Sequence, residues 1–510
     1  MIQYFRFKFN YFIGGCILKK LLLSFLLISS LVVAQEKATL LYFNDSHVIY
    51  PVVDKHGERG GVARAKTLVD SVKKENKNTV VLQGGDLGGG VLFGAVYHGF
   101  PMIEAFNKMP IDISNFGQHE FDFGVTEARN LVNKSKFQWI STNLKESSGK
   151  PFNNSKEYIV KKIGDFKVGF LGTTDGMETT IQTTEIYQED IIKSIGENLE
   201  KLKKEKVDFI VLLTQSEPEL NIEILEKYPE INAVLAEEKS EKYNFVTYVG
   251  EKPIVSPQGN MGSIVKIDIF KNKDGKIKQS LEFLPVDNSV PSDKEMLKLE
   301  EFYKEKLDRD LGTVIAKNNV KLDSGFGENH HARYEESNVG NLIADAYKNH
   351  FNTEIAFMNG GGIRANIESG DFRLRDAISI LPFSNKVGAF KYSGKTIVEA
   401  LEHGVSSVDK KAGRFLQVSG MKYSYNPKNE VGSRVSNVTI NGKPIQLETI
   451  YTVALPLYIK NGGDEFQMLK NTMGAVEIDS EKNIDSDIFI DYVKKVKVLN
   501  PKLEGRIVVK

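Results

Sequence analysis

Three short apolar runs in the first quarter of the chain each lead into acidic or histidine residues, and this feature constrains the fold most. The first run ends in Asp45 and His47, the second in Asp86, and the third in a packet that contains His119 and Asp122. Short apolar runs of this kind are typical of buried strands. Because α/β proteins place their sites at the carboxyl ends of strands, we expect these side chains to meet at one sheet edge.

The segment at residues 115–124 has the highest density of potentially catalytic side chains in the chain. His119 and Asp122 are three residues apart, so the two side chains share a face if a helix begins here. A carboxylate that orients an imidazole is typical of general acid catalysis. The alternative is a polar turn that opens a helix.

Length and composition limit the number of domains and the class of protein that this sequence can form. The chain has 510 residues, more than a single hydrophobic core usually holds, so we expect two domains. From residue 37 to about 287 strand-like runs alternate with helix-like ones, which predicts an α/β domain. The 67 basic and 67 acidic residues balance, and nothing in this composition indicates a nucleic-acid partner or disorder.

The ordered motifs support a family resemblance. Asp45-x-His47, Gly85-Asp86 and Gly117-x-His119-Glu120-x-Asp122 resemble those of the calcineurin-like metallophosphoesterases. The downstream half resembles the C-terminal domain of 5'-nucleotidases and UDP-sugar hydrolases. The resemblance implies an N-terminal four-layer α/β/β/α sandwich at residues 35–287, a linker helix at 288–310 and a C-terminal α/β substrate-binding domain at 311–510.

The resemblance also implies roles for the strand-end residues. In this family two metals clamp a phosphate while a hydroxide attacks it. Asp45 and His47 would bind the first metal, and Asp86 would bridge the two. His119, oriented by Asp122, would stabilise the transition state or the leaving group.

The sequence departs from the family at the other metal positions. No histidine lies between positions 119 and 330, where three metal-binding histidines are expected. The degenerate positions are occupied by Gln118, Gln215, Glu238 and Ser240. Neutral amide oxygen is a poor ligand for Zn or Mn, so we expect at most one tightly bound divalent metal (Zn, Mn or Mg), with none as the alternative. Oxygen ligands from Glu238, Glu217 or Glu237 are a further alternative.

The C-terminal half contains a candidate nucleoside pocket. A strand at 355–359 runs into three glycines and Arg364, and glycine permits close approach of a ligand while arginine offers planar donors. Two aromatic residues in distant loops can sandwich a base; each alone is better explained by core packing. The family pattern implies a substrate-binding set of Arg333, Asn359, Gly361, Arg364, Phe383, Tyr458 and Asp464.

The N-terminus has the layout of a secretory signal. Two lysines precede an apolar run of about a dozen residues that ends in Ala34, and the run is shorter than the roughly 20 residues of a spanning helix. We expect cleavage after Ala34 and an exported, periplasmic or extracellular protein, with no stable membrane span. Residues 1–17 precede this layout, which leaves a translation start further into the chain as an alternative. The only cysteine is Cys16, so the mature protein has no disulfide.

These observations predict an exported 5'-nucleotidase-type phosphoesterase that hydrolyses nucleotides to nucleoside and phosphate, weakened by the lost metal ligands. The alternative is a catalytically silent protein that binds a nucleotide or nucleoside. The retained pocket residues argue against a mere interaction scaffold.

Overall fold

The computed structural model describes residues 37–54, 57–181, 183–237, 239–240, 242–327, 329–477 and 483–510. The predicted leader at 1–34 and the predicted metal position Glu238 lie outside the described residues. Among the helices in the described part of the chain, none combines the length and the apolar character that crossing a bilayer requires.

The first sheet has six strands, and its four strands on one side are parallel. Thr79–Gln83 is buried at every position, as expected for a parallel strand covered on both faces. Across the sheet the strands follow the order Ile277–Pro285, Ser263–Lys271, Lys37–Phe43, Thr79–Gln83, Ile113–Asn115 and Gln138–Ile140.

The second sheet also has six strands, of which the four inner ones are parallel. Its strands follow the order Phe245–Val249, Lys252–Ser256, Ala233–Ala236, Phe209–Thr214, Phe166–Thr173 and Ile159–Ile163. Leu40 and Val80 of the first sheet pack with Phe170 and Val211 of the second in one buried cluster. Two further sheets of two strands pair Ile186–Gln188 with Leu144–Glu146 and Val52–Asp54 with Gly57–Arg59.

Helices cover the outer face of each sheet, which confirms the predicted four-layer α/β/β/α sandwich. Those of the N-terminal lobe are Val62–Glu75, Leu92–Tyr97, Phe100–Lys108, Val125–Lys134, Met177–Thr180, Ile191–Glu205 and Pro218–Lys227.

A helix at Lys294–Leu311 links the lobes. Asp293 caps it by accepting hydrogen bonds from the backbone N–H of Glu295 and Met296. Met296 and Leu307 bury against the N-terminal lobe. The family resemblance implied a linker helix at 288–310, and the apolar residues of the observed helix recur at helical spacing.

The C-terminal lobe is built around a sheet of five strands in the order Leu416–Ser419, Ile355–Asn359, Ile450–Pro456, Val387–Ser393 and Ala475–Glu477. Two smaller sheets follow the orders Lys443–Pro444, Val435–Ile440, Met421–Tyr425, Ile507–Val509 and Gly370–Arg373, Val314–Asn318, Val498–Leu499. The helices are Asn338–Phe351, Leu374–Ile380, Gly394–Gly404, Leu457–Lys460 and Asp485–Val496.

Candidate active site

The strand-end side chains converge at one edge of the first sheet. Lys37–Phe43, Thr79–Gln83 and Ile113–Asn115 are parallel neighbours, so the loops that follow them leave the sheet side by side. Asp45 and Asp86 are almost completely buried, with exposed fractions of 2% and 1%. Both have left-handed backbone, at φ 47° and 56°, a strained conformation for a residue with a side chain and one that is concentrated at functional sites.

A glycine makes room for the Asp86 carboxylate. A Cβ added at Gly117 would lie 2.1 Å from Oδ1 of Asp86, far inside contact distance. The adjacent backbone N–H of His119 donates to the same oxygen at 2.7 Å. The glycine in the Gly117-x-His119 motif is therefore required by close approach to a carboxylate.

His119 and Asp122 form a hydrogen-bonded pair, with 2.8 Å between Nδ1 and Oδ2. His119 begins the 3-10 turn His119–Phe121, and Asp122 directly follows this turn. The helix Val125–Lys134 comes next. The Gly90 N–H also donates to Asp122 Oδ2, at 3.1 Å. Burial lowers the pKa of His119, but the Asp122 and Asp86 carboxylates outweigh this effect and raise the pKa to about 9. The imidazole is therefore a cation at neutral pH.

Glu120 holds the loops together, a role that the sequence analysis did not assign. Its carboxylate accepts hydrogen bonds from the N–H groups of Asp86 at 3.1 Å, Leu87 at 2.6 Å and Gly117 at 2.6 Å. Burial and the Asp86 carboxylate raise its pKa to about 7. The sequence signal that could have identified Glu120 is its position as a charged residue inside a motif that follows a strand end.

Carboxylates gather where the resemblance implies metal binding. Oxygen atoms of Asp45, Asp86 and Glu237 all lie within 4.8 Å of one another. The imidazole Nε2 of His47 lies 3.7 Å from Asp45 Oδ1. Burial and the neighbouring His119 and Arg364 hold the pKa of His47 well below its usual range, so the ring is neutral, the form that ligates metals. This donor set fits a divalent cation.

The degenerate positions differ in what they contact. Gln215 is buried and its Nε2 donates to the Gly84 carbonyl at 2.9 Å, beside the Asp86 loop. Gln118 accepts a hydrogen bond from the Thr180 hydroxyl at 3.1 Å and lines the cavity described next. The Ser240 hydroxyl accepts a local hydrogen bond from the Lys242 N–H at 3.0 Å.

One cavity of about 270 Å³ contains residues from both lobes. The N-terminal lobe contributes Gln118, His119, Asp122 and Thr180. Every substrate-binding residue proposed from the sequence lines the same cavity: Arg333, Asn359, Gly361, Arg364, Phe383, Tyr458 and Asp464. The structure therefore brings together two residue sets that are separated by more than 150 positions in the chain.

Arg364 is held between two aromatic rings. Its guanidinium carbon lies 5.0 Å from the centre of the Phe326 ring and 5.5 Å from that of Phe383, distances typical of cation–π contacts. The Phe383 ring is nearly parallel to His119 of the other lobe, with ring centres 6.1 Å apart. Phe326 escaped the sequence analysis because it lies in a loop without a recognisable motif.

Asp464 is fixed by its neighbours. Its carboxylate accepts hydrogen bonds from the Tyr458 hydroxyl and the Asn359 amide, both at 3.1 Å. The Asp464 N–H donates to the Tyr458 oxygen at 3.0 Å. Burial raises the pKa of Asp464, while these hydrogen bonds and the nearby Arg333 act in the opposite direction.

Comparisons with known proteins agree across both lobes. The family model described as 5'-nucleotidase, C-terminal domain, matches residues 314–471. The 5'-nucleotidase of Homo sapiens is 27% identical over 529 residues, covering 92% of this chain and 90% of that protein. The trifunctional nucleotide phosphoesterase YfkN of Bacillus subtilis is 28% identical over 505 residues; the match covers 89% of this chain but 34% of that longer protein.

A solved structure extends the agreement to the fold. The crystal structure of a 5'-nucleotidase precursor from Thermus thermophilus matches with a TM-score of 0.81 and 28% identity, covering 93% of this chain and 99% of that one. The sandwich, the carboxylate cluster and the C-terminal lobe define a hydrolase of the metallophosphoesterase class with an added nucleotidase domain. Residues 314–471 match the 5'-nucleotidase C-terminal domain family, and more than nine-tenths of the chain is covered by its similarity to 5'-nucleotidases.

Proposed function

We propose that this protein is an exported 5'-nucleotidase that hydrolyses nucleotides to nucleoside and inorganic phosphate. The main support for this proposal is the shared cavity. His119 lines it from one lobe, and Arg364 and Asp464 line it from the other. A ligand held by the C-terminal lobe therefore lies against the His119–Asp122 pair.

The C-terminal residues bind the nucleoside part in this proposal. Phe383 and Tyr458 stack on the base, and the Asp464 carboxylate accepts a hydrogen bond from a ribose hydroxyl. Stacking on two aromatic faces tolerates different bases. Arg333, Asn359, Arg364 and the backbone at Gly361 supply the remaining polar contacts.

His119 acts on the leaving group. Attack by water forms a new bond to phosphorus, and the bond between phosphorus and the nucleoside 5'-oxygen breaks. The departing oxygen gains negative charge and then a proton. Because the two carboxylates keep His119 protonated, its Nε2–H stabilises that charge and can supply the proton, while Asp122 fixes the ring orientation.

Asp45, His47 and Asp86 hold a divalent cation in the proposal. When bound, such a cation polarises phosphoryl oxygen and lowers the pKa of water. Gln118 and Gln215 stand where the resemblance implies better ligands for a second ion, and Gln215 already donates to the Gly84 carbonyl. We therefore propose a weakened enzyme with at most one tightly bound cation.

Phosphate release from AMP tests the proposal. With Mn²⁺ present, the full mature chain releases phosphate, and His119→Gln lowers kcat about 10²- to 10⁴-fold, the usual contribution of a general acid. His350→Gln is the matched control, because His350 is an exposed histidine that hydrogen bonds to Asn483. Absence of phosphate release from wild type, or equal rates in the two variants, contradicts the proposal.

Restoring the implied ligands tests whether the enzyme is weakened. The combined change Gln118→Asn, Gln215→His, Glu238→His and Ser240→His should raise kcat at least about tenfold, equivalent to about 1.4 kcal/mol in the barrier. An unchanged kcat in a folded variant would show that these positions do not limit the rate.

A silent nucleoside-binding protein is the second candidate, favoured by the glutamines at two implied metal positions beside an intact pocket. Calorimetry with adenosine separates the candidates. Binding without phosphate release from AMP supports the silent binder, whereas binding with release supports the enzyme. Phe383→Ala with Tyr458→Ala should weaken adenosine binding at least about fivefold, and Phe302→Ala, an exposed phenylalanine of the linker helix, should not.

The proposal also includes export of the protein and the limits of its domains. The leader at 1–34 is removed, which places the protein in the periplasm or outside the cell, and the domains extend over 35–287, 288–310 and 311–510. N-terminal sequencing of the mature protein should find one start, at Gln35. A mature protein that still carries residues 19–34 would contradict cleavage.

A further inference from the structure

Glu237 occupies a position that the family pattern does not explain. The implied histidine positions are 238 and 240, yet Glu237 is the residue whose carboxylate oxygen lies within 4.8 Å of both Asp45 and Asp86. Glu217, another acidic residue of this region, is paired with Lys239 and its side chain is 75% exposed. The structure therefore separates two glutamates that the sequence could not rank.

Neighbouring strands fix the backbone at Glu237. The residue directly follows the buried strand Ala233–Ala236, and its N–H donates to the Thr214 carbonyl at 2.9 Å. The preceding Ala236 carbonyl accepts from the Tyr42 hydroxyl at 2.9 Å and the Asn44 amide at 3.2 Å. Tyr42 and Asn44 lead to Asp45, so Glu237 and Asp45 are positioned by one hydrogen-bonded unit that joins the two sheets.

Three carboxylates at this separation repel one another strongly where water is scarce. Asp45 and Asp86 are at most 2% exposed, so solvent screens them poorly. A divalent cation between the oxygens converts this repulsion into attraction.

His47 gives an independent indication of a ligand. The side chain is 8% exposed, and among the described residues its buried Nδ1 has no hydrogen-bond partner. Its Nε2 is 3.7 Å from Asp45 Oδ1, longer than a hydrogen bond. A buried imidazole beside a carboxylate cluster is a common arrangement for a metal ligand.

We infer that Glu237 is a direct ligand of the cation held by Asp45, His47 and Asp86, and that its carboxylate favours Mn²⁺ or Mg²⁺ relative to Zn²⁺ more than a histidine at this position would. The inference rests on the proposed function for the location of the cation. Three carboxylates and one imidazole form an oxygen-rich donor set, and oxygen ligands suit Mg²⁺ and Mn²⁺, whereas sites rich in histidine suit Zn²⁺.

Calorimetric titration of the metal-free full chain with Mn²⁺ tests the inference without depending on activity. Wild type should bind Mn²⁺, and Glu237→Gln should raise Kd at least about tenfold, the lower limit seen when even an indirect partner of a metal ligand is removed. Glu217→Gln is the matched control and should bind like wild type. Equal Kd values for Glu237→Gln and wild type would overturn the inference.

Thermal unfolding shows whether a loss of binding is a folding defect. The Tm of metal-free Glu237→Gln shows whether the variant is folded and serves as its own baseline. Mn²⁺ should raise the Tm of wild type and of Glu217→Gln, and raise that of Glu237→Gln less. An equal Mn²⁺-induced rise in all three proteins would count against a ligand role for Glu237.

Competition between metals tests the preference. Wild type should retain Mn²⁺ better than Glu237→His does when Zn²⁺ is added, because the new imidazole favours the softer ion. An unchanged ratio would overturn the preference. If Glu237→Gln loses Mn²⁺ binding but wild type with Mn²⁺ releases no phosphate from AMP, the ligand assignment stands and the proposed function fails. If wild type releases phosphate from AMP but wild type and Glu237→Gln bind Mn²⁺ equally, the proposed function stands and the ligand assignment fails.

Discussion

Arg364 shows how one side chain connects the two parts of the cavity. Its guanidinium lies between Phe326 and Phe383, and its charge is close enough to lower the pKa of His47 in the other lobe. A planar cation can stack on both rings and still direct N–H groups along its edge. The rings therefore fix a donor group at the point where the lobes meet.

Arg364→Lys should raise KM for AMP about tenfold, equivalent to about 1.4 kcal/mol, because lysine keeps the charge but loses the planar edge of N–H donors that the Phe326 and Phe383 rings hold in place. Steady-state kinetics with AMP measures this. Arg375→Lys is the control, since Arg375 lies at the surface of the same lobe and pairs with Asp308. A KM for Arg364→Lys equal to that of the control would contradict the role of the stack.

Single residues differ in whether the sequence could predict their contacts. His119 and Asp122 were predictable because a short spacing within one turn dictates their contact, and the structure joins them at 2.8 Å. Glu237 could not be chosen over Glu238 or Glu217, because its position depends on where the strand Ala233–Ala236 ends. Phe326 stayed hidden because its role exists only through the folded position of Arg364.

At the scale of single elements, the linker helix Lys294–Leu311 is attached to the N-terminal lobe through a buried carboxylate. Glu300 Oε1 accepts a hydrogen bond from the Ala63 N–H at 2.7 Å, near the start of the helix Val62–Glu75. Tyr303 donates to Glu104 at 3.0 Å. The resemblance implied the helix, but the sequence did not indicate this anchor, because a glutamate in a charge-rich helix is usually solvated.

Glu300 makes stability depend on pH. Burial raises its pKa from an ordinary value of 4.5 to about 7, so the folded protein holds this proton more tightly than the unfolded chain does. The resulting destabilisation is absent below about pH 4.5 and complete above about pH 7. Glu300→Gln should therefore raise the free energy of unfolding at pH 8 by roughly 1–2 kcal/mol, after allowance for partial solvent screening, and leave it nearly unchanged at pH 4.5.

Chemical denaturation at both pH values measures this effect. Glu301→Gln changes an exposed carboxylate one residue away and should alter stability little at either pH. A Glu300→Gln variant that gains no stability at pH 8 relative to this control would show that Glu300 is not the group responsible.

At the scale of the whole molecule, the two lobes share one cavity, and the proposed function depends on it. The fold class followed from the sequence because alternating strands and helices, with chemistry at the strand ends, allow few architectures. The parallel placement of the Phe383 and His119 rings, 6.1 Å apart, could not follow from either half alone. It depends on how the linker helix sets the lobes against each other.

The role of the shared cavity is tested by comparing AMP with p-nitrophenyl phosphate as substrates of wild type and of the double variant Phe383→Ala with Asp464→Asn. Both substrates offer a phosphoester to His119, but only AMP offers a base and a ribose to the C-terminal lobe. The double variant should lower kcat/KM for AMP at least about tenfold and leave kcat/KM for p-nitrophenyl phosphate nearly unchanged. Equal losses for both substrates, or no loss for AMP, would contradict the claim that the C-terminal lobe presents the nucleotide to the His119–Asp122 pair.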